Sequence, residues 1–388
     1  MSLTLLHLSS GNLFGGVETF LRALGACRAP GLVHEFGFCF DAKAADAVRE
    51  TGATVHRLPE ARFSRPWTVL QTRRAARRLI RERRPDVVLC HSFWPHAVFA
   101  ATVRKTGAPL VFWTHDTPKG EHWLERLAGR VPPDLAIANS HFTLTALPAI
   151  FPETVPRAMI RYPVEAPPPV PPETRAEVRR ELQTAEDSVV IVQSCRMDPW
   201  KGHPQLIAAL GRLRDVPGWT AWIAGGAQRP AEQTYLEALR AQAQGAGVME
   251  RIRWLGQRRD VPRLLAAADV HCQANRDPEP FGIAFIEALD AALPSVTMRM
   301  GGAAEIVDES CGILVDPGDI SGLADALAAL IADGDRRARL GAAGPARARA
   351  LCDPATVLDV LRRRLADLAA DGPGPGPIRR PAAVAGEI

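Results

Sequence analysis

Apolar positions along the chain follow two periods in turn. Short runs such as Leu-Thr-Leu-Leu-His-Leu-Ser at 3–9 and Val-Val-Leu-Cys-His at 87–91 alternate with longer stretches in which apolar residues recur every three to four positions. Short uninterrupted apolar runs predict strands buried on both faces and the longer stretches predict crossover helices, so the chain reads as an α/β protein built on parallel sheets. Strands are expected at 3–9, 33–40, 53–58, 86–91, 109–114, 134–139 and 157–162, with helices between them, including a long basic one from Pro66 to Arg83. A second alternation places strands at 188–195, 219–225, 251–255, 269–273, 295–299 and 312–315, with helices at 203–214, 231–244, 261–267, 282–291 and 320–332. Segments 335–349 and 353–369 read as two further helices, the second opening at Asp353-Pro354, a pair suited to a helix start.

Between the two alternations lies Pro-Val-Glu-Ala-Pro-Pro-Pro-Val-Pro-Pro at 163–172, too rich in proline for a helix or a central strand and expected to be an extended linker. This divides the chain into a first domain at 1–165, a second at 166–352, a closing helix at 353–370 and a tail at 371–388 whose Gly-Pro repeats predict disorder. Each domain is expected to be a doubly wound, Rossmann-like sheet, with a ligand cleft at the strand C-termini.

Composition narrows the class. Hydrophobic residues make up 47% and charged residues 23% of 388, which excludes a disordered or fibrous chain, and no apolar run reaches the ~20 residues of a spanning helix. The first residues carry no basic leader and no small-residue cleavage site, so they are read as a strand and the protein is expected in the cytoplasm. Seven scattered cysteines without a CxxC pair point to reduced, mostly buried thiols rather than disulfides or a zinc site. The formal charge of +4 divides into +7 over residues 1–165 and −3 over the rest. That asymmetry suits an anionic partner such as a membrane surface and is too modest for nucleic acid. Arg73, Arg74, Arg77, Arg78, Arg81, Arg83 and Arg84 share one predicted helix, which is either a solvated face or a surface for peripheral contact at the inner face of a membrane. Trp67, Phe93, Trp94, Trp113 and Trp123 are read mainly as core, with Phe93-Trp94 also a candidate sugar-stacking wall.

Four loops carry candidate chemistry. Gly15 and Gly16 form a strand-to-helix turn whose backbone N–H groups would suit an anion, without the spacing of a dinucleotide fingerprint or a P-loop. Arg196 and Lys201 flank a loop that opens a helix; two cations beside a helix start make a diphosphate site, and otherwise they are solvated surface charges. Glu279-Pro-Phe-Gly leads into a helix bearing Glu287, so Glu279 and the backbone of Phe281, Gly282 and Ile283 can address sugar hydroxyls. Gly301-Gly302 begins a further turn into a helix. Eight histidines fall in the first half, at spacings that fit no metal-ligand pattern, and Asp333-Gly334-Asp335 is placed between helices rather than at a metal.

Taken together, Trp254-Leu255-Gly256, Ala268-Asp269-Val270, Glu279 through Glu287 with seven residues between, Gly301-Gly302, Glu305-Ile306-Val307 and Gly312-Ile313-Leu314-Val315 resemble family 4 of the retaining nucleotide-sugar glycosyltransferases. Gly15-Gly16-Val17-Glu18, Asp86 to His91, Thr114-His115-Asp116 and Ile137-Ala138-Asn139-Ser140 resemble landmarks of the same family, so the likeness spans most of the chain. The resemblance implies a GT-B fold, two doubly wound Rossmann-like domains facing a central cleft. It assigns Arg196 and Lys201 to the donor diphosphate, Glu287 to the ribose, Glu279 with Phe281, Gly282 and Ile283 to the donor sugar, Gly15 and Gly16 to the diphosphate from the other domain, and His115 to the sugar's reactive face. Arg196, Lys201, Glu279 and His115 are the catalytic candidates on this reading. No metal and no cofactor beyond the nucleotide-sugar co-substrate are expected. The implied activity is transfer of a hexosyl unit, with retention, from a UDP- or GDP-sugar to a saccharide or lipid-linked acceptor in polysaccharide or glycoconjugate biosynthesis. A nucleotide-sugar epimerase of the same fold and a non-catalytic nucleotide-sugar-binding subunit are the alternatives.

Two departures stand out. Ala292-Leu293 occupies a helix-to-strand turn where the family usually has glycine, and Ala274-Asn275-Arg276-Asp277-Pro278 replaces the usual Pro-Ser before Glu279, which bears on how the sugar is read.

Overall fold

The computed structural model describes residues 2–11, 16–40 and 43–370, so Gly15 and the tail from 371 lie outside the described residues. The chain forms two compact units, Met1–Glu165 with the chain from Asp353, and Ala166–Cys352.

In the first unit seven strands, β1 (Leu3–Ser9), β2 (Leu32–Phe38), β3 (Thr54–Arg57), β4 (Val87–His91), β5 (Leu110–Trp113), β6 (Leu135–Ala138) and β7 (Arg157–Met159), make one parallel sheet in the order 3-2-1-4-5-6-7. Helices α1 (Gly16–Ala26), α2 (Lys43–Arg49), α3 (Pro66–Arg83), α4 (Phe93–Arg104), α5 (Trp123–Gly129) and α6 (His141–Ala146) connect them. In the second unit α7 (Thr174–Glu181) precedes six strands, β8 (Val189–Ser194), β9 (Trp219–Ala224), β10 (Ile252–Gly256), β11 (Val270–Gln273), β12 (Ser295–Met298) and β13 (Gly312–Val315), parallel and ordered 10-9-8-11-12-13. Between and after them run α8 (His203–Arg212), α9 (Pro230–Gly245), α10 (Val261–Ala267), α11 (Ile283–Asp290), α12 (Ala303–Ile306), α13 (Ile320–Ala332) and α14 (Gly334–Cys352). The last helix, α15 (Pro354–Ala370), packs on β4 of the first unit. No described helix is long and apolar enough to cross a membrane.

The predicted strands are present, β7 as three residues rather than six, while short α7 is a helix the apolar period did not single out. Central strands are buried along their length: every residue of β4 and of β9 is buried, as expected of strands covered by helices on both faces. Each sheet reverses direction once, between β1 and β4 and between β8 and β11. At such a switch the connections leave in opposite directions and open a crevice beyond the strand C-termini.

Helix α11 is held by α14. A Cβ at Gly341 would lie 2.2 Å from the Ala292 carbonyl oxygen and one at Gly344 2.6 Å from that of Leu289, so the glycines let α14 press on the end of α11. That end is a Schellman turn: Leu293 N–H donates to Ala288 O and Ala292 N–H to Leu289 O, each 3.0 Å. Ala292 occupies its left-handed position with φ of 55°, the place where glycine would sit without strain. Replacing Ala292 by Gly relieves ~1–2 kcal/mol of left-handed strain and gives back ~0.5–1 kcal/mol in backbone entropy. Ala292→Gly is therefore expected to stabilise the protein slightly, raising the urea midpoint; a lowered midpoint would contradict this account of the turn.

Candidate functional site

Three loops converge over the switch point of the second unit. The loop after β8 carries Arg196 and Lys201, the loop after β11 carries Asn275 and Glu279, and the loop after β12 carries Gly301 and Gly302. They meet backbone to backbone. A Cβ on Gly202, which has φ of 77°, would lie 1.6 Å from the Ala274 carbonyl oxygen. On Gly301 and Gly302 it would lie 2.5 Å from Glu279 O and 2.7 Å from Pro280 O. Gly302 N–H donates to Glu279 O at 2.7 Å and Arg276 N–H to Trp200 O at 2.8 Å, tying the loops together.

On this platform Lys201 Nζ donates to Glu279 Oε2 at 2.6 Å, an ion pair whose side chains are 13% and 10% exposed, and the ammonium also lies 4.0 Å above the Trp200 ring. Glu279 Oε2 accepts two further bonds, from Asn275 Nδ2 at 3.0 Å and Gln273 Nε2 at 3.2 Å. Gln193, buried on β8, donates to Lys201 O at 2.9 Å and fixes the lysine's backbone from below. Arg196 pairs with Asp198 at 2.8 Å and stays half-exposed, leaving guanidinium donors accessible. Two cations, each paired with a carboxylate, thus line these loops, the cations suited to a ligand's diphosphate and the carboxylates to its hydroxyls.

Phe281 is buried, Gly282 adopts φ of 108°, and Ile283 opens α11, one turn before Glu287. The Glu287 carboxyl is pushed up to about 7, first by burial and then by Asp290, which burial in turn raises to about 6. Behind the loop His203 is buried and Cys195 half-buried; desolvation pushes the thiol up to about 12 and the imidazole down to about 4, so neither is a ready nucleophile or base. Asp333 accepts the Arg336 N–H at 2.8 Å, as a cap between α13 and α14. Among the described residues no group of three or more His, Cys, Asp or Glu side chains could hold a metal ion.

The first unit gathers four of its histidines in a way their spacing does not foretell. His34, His7, His91 and His115 form a single file across β2, β1, β4 and the end of β5, each ring nitrogen 2.9 Å from the next. His115 Nδ1 is bonded to the Tyr162 hydroxyl, and Asn139 Nδ2 donates to the same oxygen at 2.9 Å. Burial lowers all four imidazoles, His34 to about 4 and His115 to about 3, so they are neutral. A neutral imidazole has one donor and one acceptor nitrogen, so the file has one polarity and a proton fixed on one ring fixes the other three. Both nitrogens of His115 are engaged, and a ring nitrogen reaches a substrate only by giving up Tyr162 or His91.

Of the arginines on α3, Arg73 donates to Val98 O and Ala97 O, and Arg83 binds Glu35 through two nitrogens. The aromatic residues divide differently from expectation. Trp113 is core and Phe93 stacks on Phe112, but Trp67 and Trp123 are 65% and 50% exposed, because period alone does not say which helix face meets the sheet.

Residues 174–347 match the family described as Glycosyl transferases group 1, and residues 15–145 match Glycosyl transferase 4-like domain. The chain is 28% identical over 355 residues, 87% of its length and 90% of the relative's, to a GDP-mannose-dependent monoacylated alpha-(1-6)-phosphatidylinositol monomannoside mannosyltransferase of Corynebacterium glutamicum. It is 35% identical over 164 residues to a GDP-mannose-dependent alpha-(1-6)-phosphatidylinositol monomannoside mannosyltransferase of Mycobacterium tuberculosis, a match that covers 40% of this chain and 41% of that relative. Among solved structures, Anabaena Alr3699/HepE in complex with UDP and glucose superposes with a TM-score of 0.83 at 26% identity, over 94% of this chain and all of that one.

The raised Glu287 carboxyl has a measurable consequence. Its native form holds a proton up to about pH 7, whereas an unfolded glutamate releases it near 4.5, so its contribution to stability is present below 4.5 and lost as pH rises to about 7. Glu287→Gln, which does not ionise, is expected to melt higher than the parent at pH 8 and with little difference at pH 4. A melting difference that does not change with pH would contradict the assignment.

Proposed function

Because the chain belongs to family 4 of the GT-B glycosyltransferases, we propose that it transfers a hexosyl unit from a UDP- or GDP-sugar to a saccharide or lipid-linked acceptor, with retention at the anomeric carbon and without a metal. The observation that carries this reading is the pairing of Lys201 with Glu279 over the β8/β11 switch, on the loop that also carries Arg196, with Glu287 one turn into α11. Arg196 and Lys201 bind the donor diphosphate and stabilise the charge that develops on it as the glycosidic bond breaks. Glu287 accepts the ribose hydroxyls and Glu279 those of the sugar, beside the backbone of Phe281, Gly282 and Ile283. With the departing phosphate taking the acceptor's proton on the same face, no protein base is required. The base remains open between two: relatives use GDP-mannose by name, and the Anabaena structure holds UDP.

The acceptor side has its own support. On α3, Trp67 and Leu70, 65% and 53% exposed, continue into Arg74, Arg77, Arg78 and Arg81 along one helical stripe. Apolar anchors followed by cations suit an anionic bilayer surface. Trp67→Ala combined with Arg74→Ala is expected to reduce cosedimentation with phosphatidylglycerol-containing vesicles; equal binding by parent and variant, or no binding by either, would remove this contact from the reading.

For the donor, titration calorimetry with UDP and GDP is expected to show one of them binding equally with and without EDTA. Loss of one charge-assisted partner is worth about 1.5–3 kcal/mol, so Lys201→Ala should weaken that binding by about ten- to a hundredfold, and Glu287→Ala should also weaken it. Wild-type affinity in both variants, or no diphosphate bound by the parent, would refute the site. Turnover with the matching nucleotide-sugar, read by NMR of the anomeric proton, should show the donor's configuration in the product.

A further inference from the structure

The two oxygens of Glu279 are used unequally. Oε2 accepts three bonds, from Lys201 Nζ, Asn275 Nδ2 and Gln273 Nε2, while Oε1 accepts from no side chain or backbone group among the described residues. The amides are locked. Gln273 Nε2 also donates to Asn275 Oδ1 at 2.9 Å, which consumes both its hydrogens and obliges Asn275 to turn its nitrogen toward Glu279. Gln273 is fully buried and Asn275 is 3% exposed, and Thr297 Oγ1 donates to Gln273 O at 2.9 Å, so the pair rests on the strand ends rather than on solvent.

This arrangement changes what Glu279 can read. A carboxylate with both oxygens open accepts from two neighbouring hydroxyls, whereas one with a saturated oxygen accepts along a single edge. We propose that Asn275 and Gln273 are positioning residues of the donor-sugar site: they pin Oε2 beside the Lys201 ammonium and present Oε1 alone to one hydroxyl of the hexosyl unit. The segment Ala274-Asn275-Arg276-Asp277-Pro278 thereby sets sugar discrimination without touching the sugar. The inference rests on the donor site proposed above and adds to it the source of its selectivity.

Calorimetric affinities for UDP, GDP, UDP-glucose and GDP-mannose, with the steady-state constants for whichever sugar conjugate turns over, test it. In the parent, the conjugate should bind more tightly than its free diphosphate, and that excess is the sugar's share. Asn275→Ala should leave the diphosphate affinity within about twofold and lower the conjugate's affinity about tenfold, the scale of a buried hydrogen bond to a charged group. Asn275→Asp keeps the shape but sets a second carboxylate against Oε2; it should lose the sugar's share at pH 8 and recover part of it at pH 5, a pH profile that a purely structural side chain would not produce. The proposal falls if both variants keep the parent's excess, or if diphosphate and conjugate weaken together. A parent that binds no diphosphate overturns the donor site itself, and this inference with it.

Discussion

The second unit depends on a contact in which there is no room for a side chain. Gly202 lies against the Ala274 peptide, and Gly301 with Gly302 against residues 278–281, so the loops leaving β8, β11 and β12 stack as bare backbone. A Cβ at Gly202 would separate the loop that carries the cations from the loop that carries the carboxylate, and one at Gly301 or Gly302 would push the β12 loop off that same carboxylate loop. The 2.6 Å bond between Lys201 and Glu279 follows from that stacking, because two side chains remote in sequence are brought within reach only if their loops touch. Positive φ at Gly202 and Gly301 adds a conformational reason for glycine to the steric one.

Pairing these two residues has a cost and a use. An ion pair that is mostly removed from water gives up hydration that its attraction only partly returns, and here Asn275 and Gln273 supply the remaining bonds to one oxygen. The carboxylate is held in place before any ligand arrives, so less order has to be created on binding. Helix α11 is fixed in the same way from its far end, where Gly341 and Gly344 of α14 meet the Schellman turn at Ala292.

Much of this was legible in the sequence, and the exceptions have physical causes. The strand positions follow from mostly apolar runs such as 87–91 and 188–195, since strands covered on both faces are dominated by apolar residues. Arg196, Lys201, Glu279 and Glu287 stand out by type and order, and the structure places Lys201 on Glu279 directly. Asn275 and Gln273 are neutral amides whose part depends on which oxygen of Glu279 they face, and that is a matter of three-dimensional placement. The file of His34, His7, His91 and His115 depends on parallel register between strands far apart in the chain, so no spacing rule reveals it. Trp67 and Trp123 were read as core from their type, although aromatic residues at the first turn of a helix are as easily turned outward. Ala292 was visible as a missing glycine, and the left-handed φ explains why glycine is the expected residue there.

The central claim is that one set of loops in the second unit receives the nucleoside diphosphate. Hydrogen–deuterium exchange of the whole protein, with and without saturating UDP or GDP, tests it most directly, because binding slows exchange where backbone is shielded or steadied. The account predicts protection in the second unit concentrated at residues 195–203, 279–288 and 301–305. Protection absent from all three segments, while a bound diphosphate protects other parts of that unit, would contradict it.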